Sequence, residues 1–381
     1  MSFNFFVKSN ITFGNGSLND LSDLIKRHEL RRVMVVCDSG VKAAGILEQV
    51  LQQTKKAEVY TVVFDEVIPN PTNEIIETAY RIARKEEIGG FIAVGGGSSI
   101  DTAKAVNILM TNPGTIRDYA GIGKVKKECL PLIAIPTTAG TSSEITNVSA
   151  LIDTEKIIKY VIIDNKIVAS DVIADPKLTI TVPASVTAAT GMDAITHAVE
   201  SFISNQSNPL TEYHSLKGLQ ILYQNIVKAV EDGADLEARE QMMLGCIVTG
   251  FGFSNANLGL VHGIAHTLSA HFGLAHGMAN AAVLPYVLEY NAPECSQKMA
   301  EMARMLGLTL CGNIEEDQYV LAGEMKTLIK RLGIRTLSEQ KISREDFEML
   351  ADDVLREPVL SFNIRQNITK EDILAILEKA F

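Results

Sequence analysis

At 381 residues the chain is too long for one ordinary hydrophobic core, so two domains are expected. A hydrophobic fraction of 46% with 21% charged residues excludes a disordered chain. A net charge of −11 argues against sequence-independent nucleic-acid binding, which needs clustered Lys and Arg.

The first half alternates strand-like and helix-like segments. Strands are expected at 32–37, 58–64, 90–94 and 130–136, with helices at 42–53, 72–86 and 98–110 between them. A hairpin is expected over 149–168, turning at Asp153-Thr154-Glu155. This rhythm predicts an α/β domain with a mostly parallel sheet and helices on both faces. After Pro183 the strand-like runs vanish. Helical periodicity then covers 184–203, 209–229, 236–256, 259–272, 294–306, 316–332, 343–355 and 370–380. The expected division is 1–182 for the α/β domain and 183–381 for an all-helical one.

Five widely spaced cysteines, Cys37, Cys129, Cys246, Cys295 and Cys311, contain no C-x-x-C. Neither a disulfide framework nor a zinc ribbon is expected, and a reducing cytoplasm fits best. The apolar run at the N-terminus is too short for a signal peptide. Polar residues and glycines interrupt every long apolar stretch, so no membrane span is expected.

Gly95-Gly96-Gly97-Ser98-Ser99 follows a predicted strand and opens a predicted helix. Glycine lets a phosphate approach the main chain, and a helix N-terminus offers N–H groups and a favourable dipole. Taken alone, the loop fits a pyrophosphate site and a tight turn with Ser98 as N-cap equally well. Pro136-Thr137-Thr138-Ala139-Gly140-Thr141-Ser142-Ser143-Glu144 is a second such junction, suited to phosphate and ribose hydroxyls or to a plain helix cap. Two such loops at strand ends shift the balance toward a dinucleotide. Asp38 ends the first predicted strand, where a carboxylate accepts from a ribose 2′-hydroxyl and repels a 2′-phosphate. That favours NAD over NADP, while an ordinary turn aspartate is the plainer alternative.

The 48 positions from 241 to 288 contain no Asp, Glu, Lys or Arg but hold His262, His266, His271 and His276. Asp193 and His197 stand four apart on a predicted helix, as do His262 and His266. A lone histidine on an apolar helix is usually a satisfied core residue; two such pairs in uncharged helices point to a metal. One carboxylate with several imidazoles suits Fe, Zn, Co or Ni over Mg or Ca. Three neutral imidazoles and one carboxylate leave a divalent ion at +1. A site of that charge stabilises alkoxide over alcohol, the species that expels hydride to a nicotinamide.

The segments GGGSSIDTAKA (95–105), PTTAGTSSE (136–144), ATGMDAITHAVE (189–200) and GLVHGIAHTLSAHFGLAHGMANA (259–281) resemble the iron-containing (group III) alcohol dehydrogenases. The resemblance runs along essentially the whole chain. It implies a dinucleotide-binding domain, an all-α domain, and a cleft between them holding NAD(P) and metal. By position it implies Asp193, His197, His262 and His276 as metal ligands. His266 falls beside the metal and nicotinamide, and Phe253 is an aromatic near the substrate. Cofactor contacts would come from Asp38, Asn70, Gly96, Gly97, Ser98, Thr137, Thr138, Thr141 and Lys159. Iron is the implied metal, with zinc or another divalent ion as alternatives, and dimers or larger homo-oligomers are implied.

Three positions depart from the family pattern. Ser142 stands where some members have Gly or Ala, His271 where Phe or Tyr is common, and Ile364 where Asn-Pro-Arg has its proline. Of the remaining histidines, His28 reads as an exposed helix end and His214 as a mid-helix surface residue. The expected function is hydride transfer between NAD(H) and a small primary alcohol, diol or aldehyde. The alternatives are a non-redox NAD- and metal-using enzyme of the dehydroquinate-synthase-like class and a catalytically silent metal- or nucleotide-binding protein.

Overall fold

The computed structural model describes residues 2–381. They divide into two compact units. One comprises Val7–Val182 with Gly233–Met243; the other comprises the N-terminal residues up to Phe6, Pro183–Asp232 and Leu244–Phe381. The units therefore depart from a single cut at 182/183 in two segments. Asn255 explains the first: its Oδ1 accepts from Phe6 N at 2.6 Å and its Nδ2 donates to Phe6 O at 3.1 Å. Arg239 explains the second, donating to Gly233 O and Val182 O at 3.0 Å each.

The first unit holds nine strands: β1 (Asn10–Phe13), β2 (Arg32–Asp38), β3 (Tyr60–Val67), β4 (Gly90–Gly95), β5 (Gly121–Ile122), β6 (Leu132–Pro136), β7 (Val148–Asp153), β8 (Ile158–Ile163) and β9 (Asp171–Ala174). Six of them form a wholly parallel sheet in the order β1-β9-β6-β4-β2-β3. Val33–Cys37, Phe91–Val94 and Leu132–Ile135 are buried throughout, as expected for parallel strands covered on both faces. β5, β8 and β7 make a separate small sheet containing the expected hairpin.

The helices of this unit are α1 (Leu21–Arg27), α2 (Ser39–Ala43), α3 (Ile46–Lys56), α4 (Asn73–Lys85) and α5 (Gly97–Thr111). The single helix expected over 42–53 is broken at Gly45, which takes φ +70°. α5 starts at Gly97 with Gly96 as N-cap, so Ser98 is not the cap. His28, at the end of α1, is not an exposed histidine; Nε2 bonds the buried carboxylate of Asp171 on β9, which Arg27 also meets. The order reverses at β2, which pairs with β3 on one side and β4 on the other. The carboxyl ends of β2 and β4 thus flank the switch point where open α/β sheets bind ligands.

The second unit is helical: α6 (Ala184–Ile203), α7 (Pro209–Glu231), α8 (Leu236–Ala256), α9 (Leu260–Phe272), α10 (His276–Asn291), α11 (Ser296–Met305), α12 (Ile314–Asp317), α13 (Val320–Arg331), α14 (Phe347–Val354) and α15 (Lys370–Ala380). The first turns of α8 belong to the sheet unit. α10 is absent from the periodicity reading, and the expected 316–332 helix is two pieces. Among the described residues, no single helix is long and apolar enough to cross a membrane. Residues 191–203 of α6 are buried on every side, as are 260–269 of α9. Much of the charge-free window is core, but its 270–276 stretch is half-buried or exposed.

Candidate metal centre and nucleotide loops

α6 is uncharged over most of its length but carries Asp193, His197 and Glu200, a stripe at helical spacing. α9 presents His262 and His266, and α10 begins at His276. Around Asp193 Oδ1 stand three imidazole nitrogens: His197 Nε2 and His262 Nε2 at 3.8 Å, and His276 Nε2 at 3.9 Å. Ligand atoms of Asp193, His262 and His276 all lie within 4.8 Å of one another. His197 stacks between Phe253 (centroids 4.2 Å apart) and His262 (4.8 Å).

Close packing brings α10 to α6. A Cβ on Gly277 would meet Ala189 O at 2.0 Å and Asp193 Cβ at 3.2 Å, so only glycine permits the approach that sets His276 beside Asp193. Two residues outside the sequence-expected set complete the cluster. Glu200 is buried; its Oε2 lies 2.5 Å from His262 Nδ1 and its Oε1 accepts from Val261 N at 2.7 Å. That fixes His262 with Nε2 toward Asp193. Asn280, one turn after His276, places its amide nitrogen 2.7 Å from Asp193 Oδ1 and 3.3 and 3.4 Å from the Nε2 atoms of His262 and His276. Its buried Oδ1 has no hydrogen-bond partner among the described residues. A mixed N/O donor set around one point, with a buried polar atom left over beside it, fits a first-row divalent ion.

Glu200 brings a second buried carboxylate into contact with the donor set, in line with the familiar carboxylate–histidine–metal arrangement.

His266 stacks on His276 at 5.4 Å, and its Nδ1 lies 3.0 Å from Glu357 Oε2. His271 faces away from the cluster: its Nε2 bonds Asp353 Oδ2 at 2.8 Å, in the last turn of α9. At 1.5 Å per residue it stands roughly 13 Å along the axis from His262. The family aromatic is replaced here by a residue that hydrogen-bonds a neighbouring carboxylate from the last turn of α9. His214 is half-buried, stacked on Phe5 at 5.6 Å, and is not a surface residue. Desolvation holds its pKa down.

In the sheet unit, Asp38, Asn70, Gly96, Gly97, Ser98, Thr137 and Thr138 all stand at or just beyond the carboxyl ends of β2, β3, β4 and β6. Thr141 follows in the loop after β6. Thr137 N donates to Gly95 O at 3.0 Å, joining the two loops. No side chain caps α5. Asn70 takes φ +52°, uncommon outside glycine. Asp38 Oδ1 accepts from Gly40 N (2.8 Å) and Val41 N (3.0 Å), and Oδ2 from Ser99 Oγ (3.3 Å), so the carboxylate caps α2 and faces the glycine loop. Lys159 lies on β8, opposite Ile152 in the small sheet. Cys37, next to Asp38, is an inert strand residue whose thiol burial pushes up to about 12.

Comparison with known proteins follows the same division. Residues 8–176 match the iron-containing alcohol dehydrogenase family, and residues 187–381 match the Fe-containing alcohol dehydrogenase family, C-terminal part. The chain is 35% identical to alcohol dehydrogenase 4 of Saccharomyces cerevisiae over 380 residues, covering 99% of this chain and 98% of that one. It is 33% identical to the 1,3-propanediol dehydrogenase of Klebsiella pneumoniae, covering 100% and 99%. A crystal structure of 1,3-propanediol oxidoreductase superposes with a TM-score of 0.97 at 33% identity, over the whole of both chains. The chain belongs to the iron-containing alcohol dehydrogenase family.

Proposed function

We propose that this enzyme of the iron-containing alcohol dehydrogenase family transfers hydride between NAD(H) and a small primary alcohol, diol or aldehyde. The observation that carries the reading is the ring of three imidazole Nε2 atoms at 3.8–3.9 Å from one buried carboxylate oxygen. Asp193, His197, His262 and His276 would hold a divalent ion, iron by family and zinc as the alternative. When bound, the ion supplies Lewis acidity that lowers the pKa of a substrate hydroxyl.

The chain's own residues do the rest. Glu200 and Asn280 orient the ligand set. His266, turned by Glu357 through Nδ1, would take the hydroxyl proton at Nε2 during oxidation and return it during reduction. Phe253 packs on His197 and walls the substrate side with an apolar face. The first-turn amides of α5 and the hydroxyls of Thr137, Thr138 and Thr141 hold the nicotinamide dinucleotide, with Asn70 and Lys159 as further contacts. Asp38 excludes a 2′-phosphate.

Relatives are named for methanol, 1,3-propanediol and lactaldehyde, all small and uncharged. The groups against the imidazoles here are carboxylates and an amide (Glu200, Glu357 and Asn280), which suits a neutral substrate and repels a phosphorylated one. A cytoplasmic homo-oligomer belongs to the same proposal. Its test is a panel of alcohols, diols and aldehydes with NAD and NADP, on protein reconstituted separately with Fe²⁺ and Zn²⁺. Turnover with NAD on small primary alcohols is expected; no nicotinamide reduction or oxidation across the panel with either metal would refute it.

A further inference from the structure

Within the motif GGGSSIDTAKA, the glycines and serines answer to a phosphate, but Asp101 and Lys104 are taken up by bonds to the protein's own chain. Lys104 is fully buried. Its Nζ donates to Ser143 O at 2.6 Å, Val148 O at 2.7 Å and Thr146 O at 2.9 Å. Burial pushes the amine down to about 8, which leaves it protonated at neutral pH, with three N–H donors for three carbonyls. Asp101, one turn earlier on α5, also meets Ser143 and then the first residues of β7. Its Oδ1 accepts from Ser143 Oγ at 2.5 Å, its Oδ2 from Ala150 N at 3.1 Å, and its backbone oxygen from Ser149 Oγ at 3.0 Å.

The segment so held needs it. Between β6 and β7, residues 137–147 form no strand or helix, yet 142–146 are buried and Ser142 sits at φ +51°. Buried carbonyls outside a ladder must find donors elsewhere. The front of the same segment touches the glycine loop closely: a Cβ on Gly96 would lie 3.0 Å from Thr138 Oγ1, and one on Gly97 2.8 Å from Thr141 Oγ1. Helix α5 therefore carries one loop at its N-terminus and grips the other through the half-buried Asp101 and the buried Lys104.

We propose that Asp101 and Lys104 are positioning residues for nucleotide binding, holding the 137–144 loop in register with the glycine loop of 95–97. The proposal rests on the assignment of these two loops to the dinucleotide. It accounts for the acid and the lysine of the motif, three residues apart on α5, by the backbone and hydroxyl groups they satisfy.

The test compares Lys104→Met, Ser143→Ala and Asp101→Asn with Gly96→Val, all in the metal-loaded enzyme, by NADH titration, KM for NAD against kcat, and metal per chain. Lys104→Met should weaken NADH at least tenfold, and the two milder variants several-fold. kcat at saturating NAD and metal content should stay near wild type, because the metal donors lie in the other unit. Should Lys104→Met not fold, Ser143→Ala and Asp101→Asn decide. Wild-type NADH affinity in these variants, with Gly96→Val weakened, overturns the positioning role and leaves the loop assignment standing. Wild-type affinity in Gly96→Val as well overturns the loop assignment itself. Equal loss of metal and NADH with a lowered unfolding temperature marks a merely structural pair and also overturns the proposal.

Discussion

Glu200 Oε2 lies 2.5 Å from His262 Nδ1, and both side chains are buried. The same carboxylate caps Val261 N through its other oxygen. One acid thus sets both the ring and the backbone from which the ring springs. Glutamine at 200 keeps an oxygen for the cap but offers an N–H on its other arm, so it separates the two tasks. Glu200→Gln should lower metal affinity roughly 10- to 100-fold, with a smaller loss of stability than Glu200→Ala. Chelator competition with Zn²⁺ measures the first and urea unfolding the second; wild-type metal affinity in Glu200→Gln would show that the ring needs no carboxylate.

His262 and His266 occupy the same face of α9 but differ in partner, Glu200 for one and Glu357 for the other. His262→Ala should lose bound metal and nearly all turnover. His266→Ala should keep its metal while kcat falls by about 10² to 10⁴, the usual range for a general acid–base group. Metal per chain and the pH–rate profile distinguish them. Stoichiometric metal in His262→Ala removes it from the ligand set, and an unchanged profile in His266→Ala removes the proton role.

Asp38 caps α2 as well as facing the glycine loop, so replacing it with glycine mixes two effects. Asp38→Asn keeps an acceptor for Gly40 N and Val41 N and should hold stability within about 0.5 kcal/mol, since Asn and Asp are comparable N-caps. The NAD/NADP ratio of kcat/KM should fall. A ratio equal to wild type would remove the charge of Asp38 from cofactor choice.

Gly277→Ala drives a methyl into Ala189 O across the α6–α10 contact. Overpacking against backbone at a fixed crossing should cost about 3 kcal/mol or more and spread His276 from Asp193. Denaturant midpoint and metal content should fall together. Loss of neither would mean that α10 can slide without disturbing the site.

Burial pushes Glu144 up to about 7 from an ordinary 4.5. Its folded form therefore holds a proton that the unfolded chain has already released, so stability falls as pH rises from about 4.5 to 7. The loss amounts to about 3 kcal/mol. Asp101, raised by the same cause, adds a slope of the same sign. Glu144→Gln should flatten the fall seen in urea midpoints between pH 5 and 7. A wild-type slope in that variant would place the effect elsewhere.

The β2, β4 and β6 cores and the long helices α6 and α7 were legible because each is a plain run with Gly or Pro close to at least one end. β1 and β9 are four residues each and pair Asn10 with Asp171, far apart in sequence, so no local pattern marks them. α10 is nearly surrounded by protein from Gly277 to Leu288 and has no polar face for a 3.6 period to show. With α10 unseen, Asn280 had no reason to join His276, although the two are four apart. Glu200 did carry a signal: it falls three residues after His197 and seven after Asp193 in one stripe. Its partner, a backbone N–H on another helix, is a tertiary fact.

The caps on α9 have a consequence for how the protein is made. Leu260 N is received by Asn363 Oδ1 across 103 positions of sequence, beside the Glu200 bond to Val261. Asn363 is in turn locked to Asn291 by a reciprocal amide pair. On the ribosome, Asp193, His197, His262 and His276 leave the exit tunnel well before Asn363 does. The pocket therefore acquires its final shape only after Asn363 has emerged. A chain stopped short of Asn363 would own all four side chains and still lack the anchor of the helix that carries His262.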